Sequence, residues 1–329
     1  MTTLPDTYFL PEWGKYFETK EEAGEHQLFE LKNEWGHIFY QFIKRPIRIL
    51  DRETGYYDTI TPYGFSGPVI LNCNENRKEE LIALFDAEFQ QYCEHNNIIT
   101  EYIRFNPWLK NHCDFNGIYQ MRGHGTTLYI DLNKDDFFME EFSSNARRQV
   151  RRGIKNNLEI EFDFTGFSTK EFYRLYELMA EKNEIGDYYR FTEEFLHNSF
   201  QALKGKQFII SAKHEGKYVG AAFILHHGDY LHYHLAATDP ECYHLASNSL
   251  IIYEICRWGL ENNKKELHLG GAGKLENLLK FKKGFTKSPE LDLLIGMKTR
   301  NKAVYEELVN FKKNIVEINN AEFFPLYRG

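Results

Sequence analysis

The sequence predicts an α/β (α+β) protein of two similar halves, each a mixed, mainly antiparallel sheet flanked by helices. Three observations predict it. One order of local patterns (strand, exit loop, helix, strand) occurs twice, each helix in it closes on an Asn-Asn pair, and three strands in hairpin order lead into the second occurrence. A length of 329 residues exceeds one ordinary domain and suits two of about 150 residues. The expected division is 1–132 and 133–329.

In chain order, an aromatic opening segment precedes strand patterns at 37–45 and 56–70, the second broken by the Gly/Pro loop "TPYGFSGP". Residues 77–96 carry Leu81, Leu84, Phe85, Phe89 and Tyr92 at helical spacing and stop at Asn96-Asn97. "IITEYIRF" (98–105) is the next strand. Amphipathic helices are expected at 172–183 and 191–203. Two hairpin turns then follow, at Glu215-Gly216 and at His227-Gly228-Asp229, so three antiparallel strands end in "YLHYHLAATDP" (230–240). A helix carrying Leu245, Leu250, Ile251, Tyr253, Ile255 and Trp258 ends at Asn262-Asn263, and "KELHLGG" (265–271) is the strand after it.

Composition narrows the class. Apolar residues at 42% and aromatics at 16%, with 27 Phe and 21 Tyr, exclude a disordered chain and suggest clefts lined by rings. A net charge of -8 argues against a general DNA coater, which needs many cationic contacts to phosphate. The opening "MTTLPDTYFLPEWGKYF" lacks the basic start and apolar run of a signal peptide, and no window reaches 18 apolar residues, so a soluble cytoplasmic protein is expected. Cys73, Cys93, Cys113, Cys242 and Cys256 are odd in number and never spaced C-x-x-C, so they read as buried small hydrophobes rather than as disulfides or zinc ligands.

Chemistry concentrates in "HLGGAGKLENLLKFKKGF" (268–285). Gly270, Gly271 and Gly273 let backbone N–H groups approach a ligand, and a helix begins just beyond them. The run is neither G-x-G-x-x-G nor G-x-x-x-x-G-K-[ST], so dinucleotide and P-loop readings lack support. Leu275, Leu278 and Leu279 make an apolar stripe whose next step is Lys282. That residue is either a snorkelling lysine with its head in water or an ammonium at the mouth of a cleft, facing an oxyanion or phosphate. In "NARRQVRRGIKNN", Arg147, Arg151 and Lys155 recur every four residues with Arg148 and Arg152 alongside, a basic stripe that is a solvated face or a contact for phosphate or RNA. His232 and His234 alternate on one strand and His268 falls on the next. They form a three-His metal site or, more commonly for such a pattern, a set of hydrogen-bonded cleft residues, one of which can deprotonate an amine. There is no G-x-S-x-G, no H-E-x-x-H and no nucleophile-plus-base arrangement, so an acyl group would pass directly from donor to acceptor.

Four segments carry a resemblance: "TPYGFSGPVI", "NARRQVRRGIKNNLEI", "LHYHLAATDPECYHLASNSLIIYEICRWGLENNKKELHLGGA" and "LLKFKKGF". Together they resemble the FemABX family and its relatives within the GNAT superfamily, from about residue 35 to 297, and the element order of the second half is that of the GNAT fold. The resemblance implies tandem GNAT-like domains and transfer of an acyl or aminoacyl group to an amine. Characterised members extend peptidoglycan precursor peptides from aminoacyl-tRNA without metal, and a Phe-Lys pair near the donor end stabilises the transition state; Phe281-Lys282 matches that pair. Two features depart from the family patterns. No helical coiled-coil insertion is present, and "YHLASNS" does not match the R/Q-x-x-G-x-G/A pyrophosphate loop of acetyl-CoA enzymes.

The expected activity is therefore amide formation on a cell-envelope precursor, a peptide or an amino sugar that is nucleotide- or lipid-linked, with no bound cofactor and with aminoacyl-tRNA or acyl-CoA as co-substrate. Lys282 and Phe281 would stabilise the tetrahedral intermediate, and His234 or His268 would orient or deprotonate the amine. Gly270, Gly271, Gly273, Ser247 and Asn248 would receive the donor. Tyr63, Gly64, Ser66, Gly67 and Tyr233 would line the acceptor cleft, and Arg148 and Arg152 would meet phosphate. Charged tRNA and a membrane surface are the allowed large partners, DNA is not, and no metal is expected. A catalytically idle module that holds a saccharide or nucleotide is the alternative from another class.

Overall fold

A computed structural model describes residues 3–329 apart from 22, 51, 183–189, 274, 317–319 and 321. Its strands are β1 (Glu25–Asn33), β2 (Gly36–Ile49), β3 (Arg52–Ile60), β4 (Val69–Cys73), β5 (Ile98–Arg104), β6 (Gln120–Asp131), β7 (Glu159–Asp163), β8 (Gln207–His214), β9 (Lys217–His227), β10 (Tyr230–Thr238), β11 (Glu266–Gly270) and β12 (Leu291–Thr299). Its α-helices are α1 (Pro11–Phe17), α2 (Lys78–His95), α3 (His112–Phe115), α4 (Phe137–Glu140), α5 (Ser144–Lys155), α6 (Thr169–Lys182), α7 (Glu193–Ala202), α8 (Ser247–Glu261), α9 (Glu276–Lys283) and α10 (Lys302–Lys313).

The chain forms two compact units. The first holds residues 8–125 and 292–329, with the first four residues; the second holds 5–7 and 126–291. In the first unit β1, β2 and β3 form an antiparallel meander, α2 crosses over, and β5 lies parallel to β3. Leu81, Phe85 and Phe89 from one stripe of α2 pack on Ile38, Tyr40 and Phe42, alternate residues of β2, so helical and strand periodicities meet in one aromatic core. The second unit repeats the scheme. Strands β7 to β10 are antiparallel neighbours, α8 crosses over, and β11 lies parallel to β10. The turn between β8 and β9 is Glu215-Gly216 with φ of 49° and 77°, the doubly left-handed turn that suits the strand twist. Both crossover helices stop in the same way, with Asn97 and Asn263 each at φ 54°, the left-handed position that asparagine tolerates.

The units differ from the expected division at residues 5–7, at 126–132 and beyond 291. Beyond residue 291 the chain returns to the first unit, because β12 pairs antiparallel with β5 from Ile295↔Arg104 to Thr299↔Thr100. The second unit's sheet is closed instead by the end of β6, where Asp131, Ile130 and Tyr129 face Glu266, Leu267 and His268 of β11. Each crossover strand thus takes its outer partner from a distant part of the sequence. The cysteines need a correction too: Cys93 and Cys256 are buried, Cys113 is exposed, and Cys73 and Cys242 are half-buried.

Candidate active site

Geometry singles out the fork between β10 and β11. They pair for three residues only, Tyr230↔Glu266, Leu231↔Leu267 and His232↔His268. Beyond that point β10 stays with β9 to Thr238, and β11 stays with β6 to Gly270, so the two strands part. A β-bulge between Tyr233 and Leu235 bends β10 at the fork, and His234 is the extra residue. The bulge interrupts the strict alternation that placed His232 and His234 on one face. His234 is half-buried, and loss of hydration, followed by the neighbouring His232, pushes its imidazole down to about 3.

Lys282 lies beside this fork. It is 8% exposed and is the buried residue of α9. Its Nζ donates to the carbonyls of Gly270, at 3.3 Å, and Gly271, at 2.7 Å. Among the described residues these two bonds leave one of three ammonium donors for an incoming oxygen. Burial pushes its pKa down to about 8, so it is mostly charged at neutral pH yet poorly hydrated. The snorkelling alternative is therefore set aside, since the ammonium head sits on backbone carbonyls rather than in water. The stripe expected to lead to it is corrected, however: Leu275 and Leu278 are 58% and 36% exposed, and the inward face is Leu279, Lys282 and Phe285.

Neighbouring groups hold Lys282 in place. Phe281 packs on Phe285, ring centroids 5.0 Å apart, within the apolar core of the second unit. The Ser143 amide donates to the Gly284 carbonyl at 2.9 Å, tying the end of α9 to the start of α5. The buried Glu141 carboxylate accepts from Thr286 Oγ1 (2.8 Å), the Lys287 amide (3.0 Å) and Ser288 (3.1 Å to Oγ), clamping the turn after the helix. Nothing in the sequence around Glu141 marks this role.

The other expected site residues divide between the units. Gly270 and Gly273 have φ of 72° and 53°, as the turn out of β11 requires. Ser247 opens α8 but its side chain is buried, and a Cβ added to Gly220 would come within 2.6 Å of its Oγ, so it faces β9 rather than an open donor loop. Asn248 accepts from Thr238 Oγ1 at 2.6 Å and pins the helix start to β10. Tyr233 packs against the second unit's core, and burial holds its hydroxyl pKa well above 10. Arg148 and Arg152 are exposed on α5, with Arg148 donating to Asn145 Oδ1 at 2.7 Å, whereas Arg151 lies 5.7 Å over the Phe138 ring.

The loop carrying Tyr63, Gly64, Ser66 and Gly67 belongs to the first unit. It is built rather than slack. Asn111 Nδ2 donates to the carbonyls of Ser66 (2.7 Å) and Pro68 (2.9 Å), Trp13 Nε1 donates to that of Tyr63 (2.6 Å), and Tyr63 stacks on Phe17 at 5.1 Å. Gly64 has φ 97°, and a Cβ there would meet the Tyr8 ring at 2.3 Å. Gly64→Ala is expected to cost about 2 kcal/mol, read as a lower midpoint in denaturant unfolding; an unchanged midpoint would show that the loop relaxes. Among the described residues no group of three His, Cys, Asp or Glu is placed to hold a metal ion. No helix is long and apolar enough to cross a membrane, again among the described residues.

Residues 143–283 match the family described as "Acetyltransferase (GNAT) domain". That stretch spans the basic helix, the fork and Lys282, so this part of the chain, with its site, is similar to a GNAT acetyltransferase domain. Over 93% of its length and 96% of the other chain, the protein is similar in fold to FemX, at 14% identity and a TM-score of 0.72. Two further solved structures are similar in fold. L-PGS from Bacillus licheniformis shares 13% identity, covers 94% of this chain and 98% of its own, and has a TM-score of 0.53. A tandem GNAT protein from the clavulanic acid biosynthesis pathway shares 8% identity, covers 85% of each chain, and has a TM-score of 0.51. No curated protein sequence matches the chain.

Proposed function

We propose that the protein transfers an aminoacyl group from charged tRNA to an amine of a cell-envelope precursor, a peptidoglycan peptide or an amino sugar. The observation that carries this reading is the buried Lys282 ammonium, seated on the Gly270 and Gly271 carbonyls with a donor to spare. When an amine attacks an ester carbonyl, the oxygen gains negative charge, and a fixed, poorly hydrated cation stabilises that charge more than it stabilises the ground state. His268, two residues before Gly270, or His234 in the bulge would meet the amine. The loop from Tyr63 to Gly67 would contact the acceptor, and Arg148 and Arg152, both exposed, would take phosphate from donor or acceptor.

An acyl-CoA donor is the second reading, favoured by the acetyltransferase description of the matched family. Thermal unfolding with a panel of CoA thioesters separates the two, because a ligand at 100 times its dissociation constant stabilises by about 2.7 kcal/mol, a shift of a few degrees. The expected result is no shift with any thioester and label transfer from charged tRNA to a peptidoglycan-precursor peptide. A clear shift with one thioester, with no transfer from tRNA, would replace this reading by acyl-CoA-dependent N-acylation. Reversing both Arg148 and Arg152 to Glu is expected to raise KM for the phosphate-bearing substrate at least tenfold and to leave the melting temperature unchanged. An unchanged KM would reduce the pair to a solvated face.

A further inference from the structure

Amide formation from an ammonium must release a proton. R–NH3⁺ and an ester R′C(O)–OR″ yield R′C(O)–NHR, R″OH and one H⁺: one proton goes to the leaving oxygen and one leaves the site. The fork between β10 and β11 carries a row of groups suited to the second. His232 and His268 are the last paired residues before the strands part, and their rings stack with centroids 5.4 Å apart at 26°. On one side His232 Nε2 hydrogen-bonds Asp6 Oδ2 at 2.9 Å, with both side chains buried. On the other, His268 Nε2 lies 2.9 Å from Glu266 Oε2, a close contact that needs a turn of the side chain to align as a hydrogen bond. The Glu266 side chain is 27% exposed, so the row runs from a buried carboxylate to one that reaches water.

We propose that this row is the proton outlet of the transferase: His268 takes the proton of the acceptor ammonium and passes it through Nε2 to Glu266, which releases it to solvent, while His232 and Asp6 are positioning residues. The inference rests on the aminoacyl-transfer reading. No bond other than N–H and O–H changes in this step, and the neutral amine is left to attack the carbonyl beside Lys282.

Electrostatics support the direction of transfer. Burial, followed by the charge of His232, depresses His268 well below the ordinary histidine range, so it passes a proton on rather than storing one. Burial, followed by His232, pushes His234 down as well, to about 3. Glu266 is pushed up to about 7, first by burial and then by Asp131 across β6 and Asp229 in the turn before β10; His232 and Lys265 act against the rise. The charge on Lys265 is largely committed, with its Nζ 2.7 Å from Asp229 Oδ2. Tyr230, opposite Glu266, and Tyr129, opposite His268, complete the groups that face the row, and both are held above the usual phenol range, first by burial. Glu266 therefore accepts a proton and returns it near neutral pH.

The test uses the full chain and Glu266→Gln. In the tRNA-to-peptide label assay, kcat at pH 7 is expected to fall about a hundredfold with KM within about twofold, the limb of the kcat profile that rises through pH 7 is expected to vanish, and added imidazole is expected to restore part of the rate. Unchanged kcat, or a loss that keeps the limb, would overturn the outlet. Should the transfer assay fail for the native protein, the aminoacyl reading fails and a second arm still tests the row. The ring 15N shifts of His268, assigned with His268→Gln, are expected to respond to the titration of Glu266 with a midpoint near 7 in the native protein and to lose that response in Glu266→Gln. Flat shifts in the native protein, or a midpoint that survives the substitution, would mean that the two side chains share no proton.

Discussion

Replacing Lys282 by methionine is expected to lower turnover about a hundredfold or more while leaving stability at pH 7 within about 1 kcal/mol. The first part follows from removing a preorganised donor at a developing oxyanion. The second follows from two opposed terms. A lysine held near 8 instead of 10.5 carries a desolvation cost of up to about 3 kcal/mol when charged, and methionine removes it. The same change deletes the bonds to the Gly270 and Gly271 carbonyls, about 1.5–3 kcal/mol each for a charged donor before their carbonyls find water. The pH dependence has a definite sign. Between about 8 and 10.5 the unfolded chain binds a proton at this lysine that the folded protein has released, so this group makes the native protein more stable as pH rises through that window. The midpoint difference between Lys282→Met and the native protein should therefore move in favour of the native protein from pH 7 to pH 9.5. Turnover of Lys282→Ala within threefold of native would remove the oxyanion role, and a fall of several kcal/mol at pH 7 would make Lys282 a structural residue.

The largest loss of stability is expected at Glu101, far in sequence from any of this chemistry. Its carboxylate is fully buried in the first unit, accepts from the hydroxyls of Tyr40 and Tyr119, each at 3.2 Å, and pairs with the Arg300 guanidinium. Arg300 follows β12 directly and also meets Asp86 of α2 at 2.6 Å, so this network holds the returning strand to the unit it joins. Glu101→Ala leaves a buried guanidinium and two buried hydroxyls short of an acceptor, at a cost of about 3–5 kcal/mol in denaturant unfolding. Glu161→Ala is the contrasting case: its partner Lys213 is 2.6 Å away, but the carboxylate is half exposed, and a change below about 1 kcal/mol is expected. Equal effects at the two positions would mean that the buried network relaxes by admitting water.

Much of this was legible in the chain. The stripe of Leu81, Phe85 and Phe89, the turn at Glu215-Gly216 and the paired Asn stops at 97 and 263 are local signals, because spacing of 3.6 or 2 residues and tolerance of positive φ are properties of a few neighbouring residues. So is Lys282, an ammonium at the inward step of a helix that follows a glycine turn. His268 could be placed beside His232 because both lie on predicted strands that a crossover helix makes parallel.

Tertiary structure alone decided the rest. That β12 returns to β5, and that Asp6 reaches His232, depends on contacts across roughly 200 residues, and neither segment carries a periodic signal that names its partner. The bulge at His234 shifts one residue against a strand pair, which no alternation pattern records. Glu266 reads in sequence as an ordinary strand-edge carboxylate. It becomes a group that titrates near neutrality only when folding buries it beside Asp131 and Asp229, because the energy of a charge is set by the dielectric and the charges around it, and both are assembled by packing rather than by sequence neighbours.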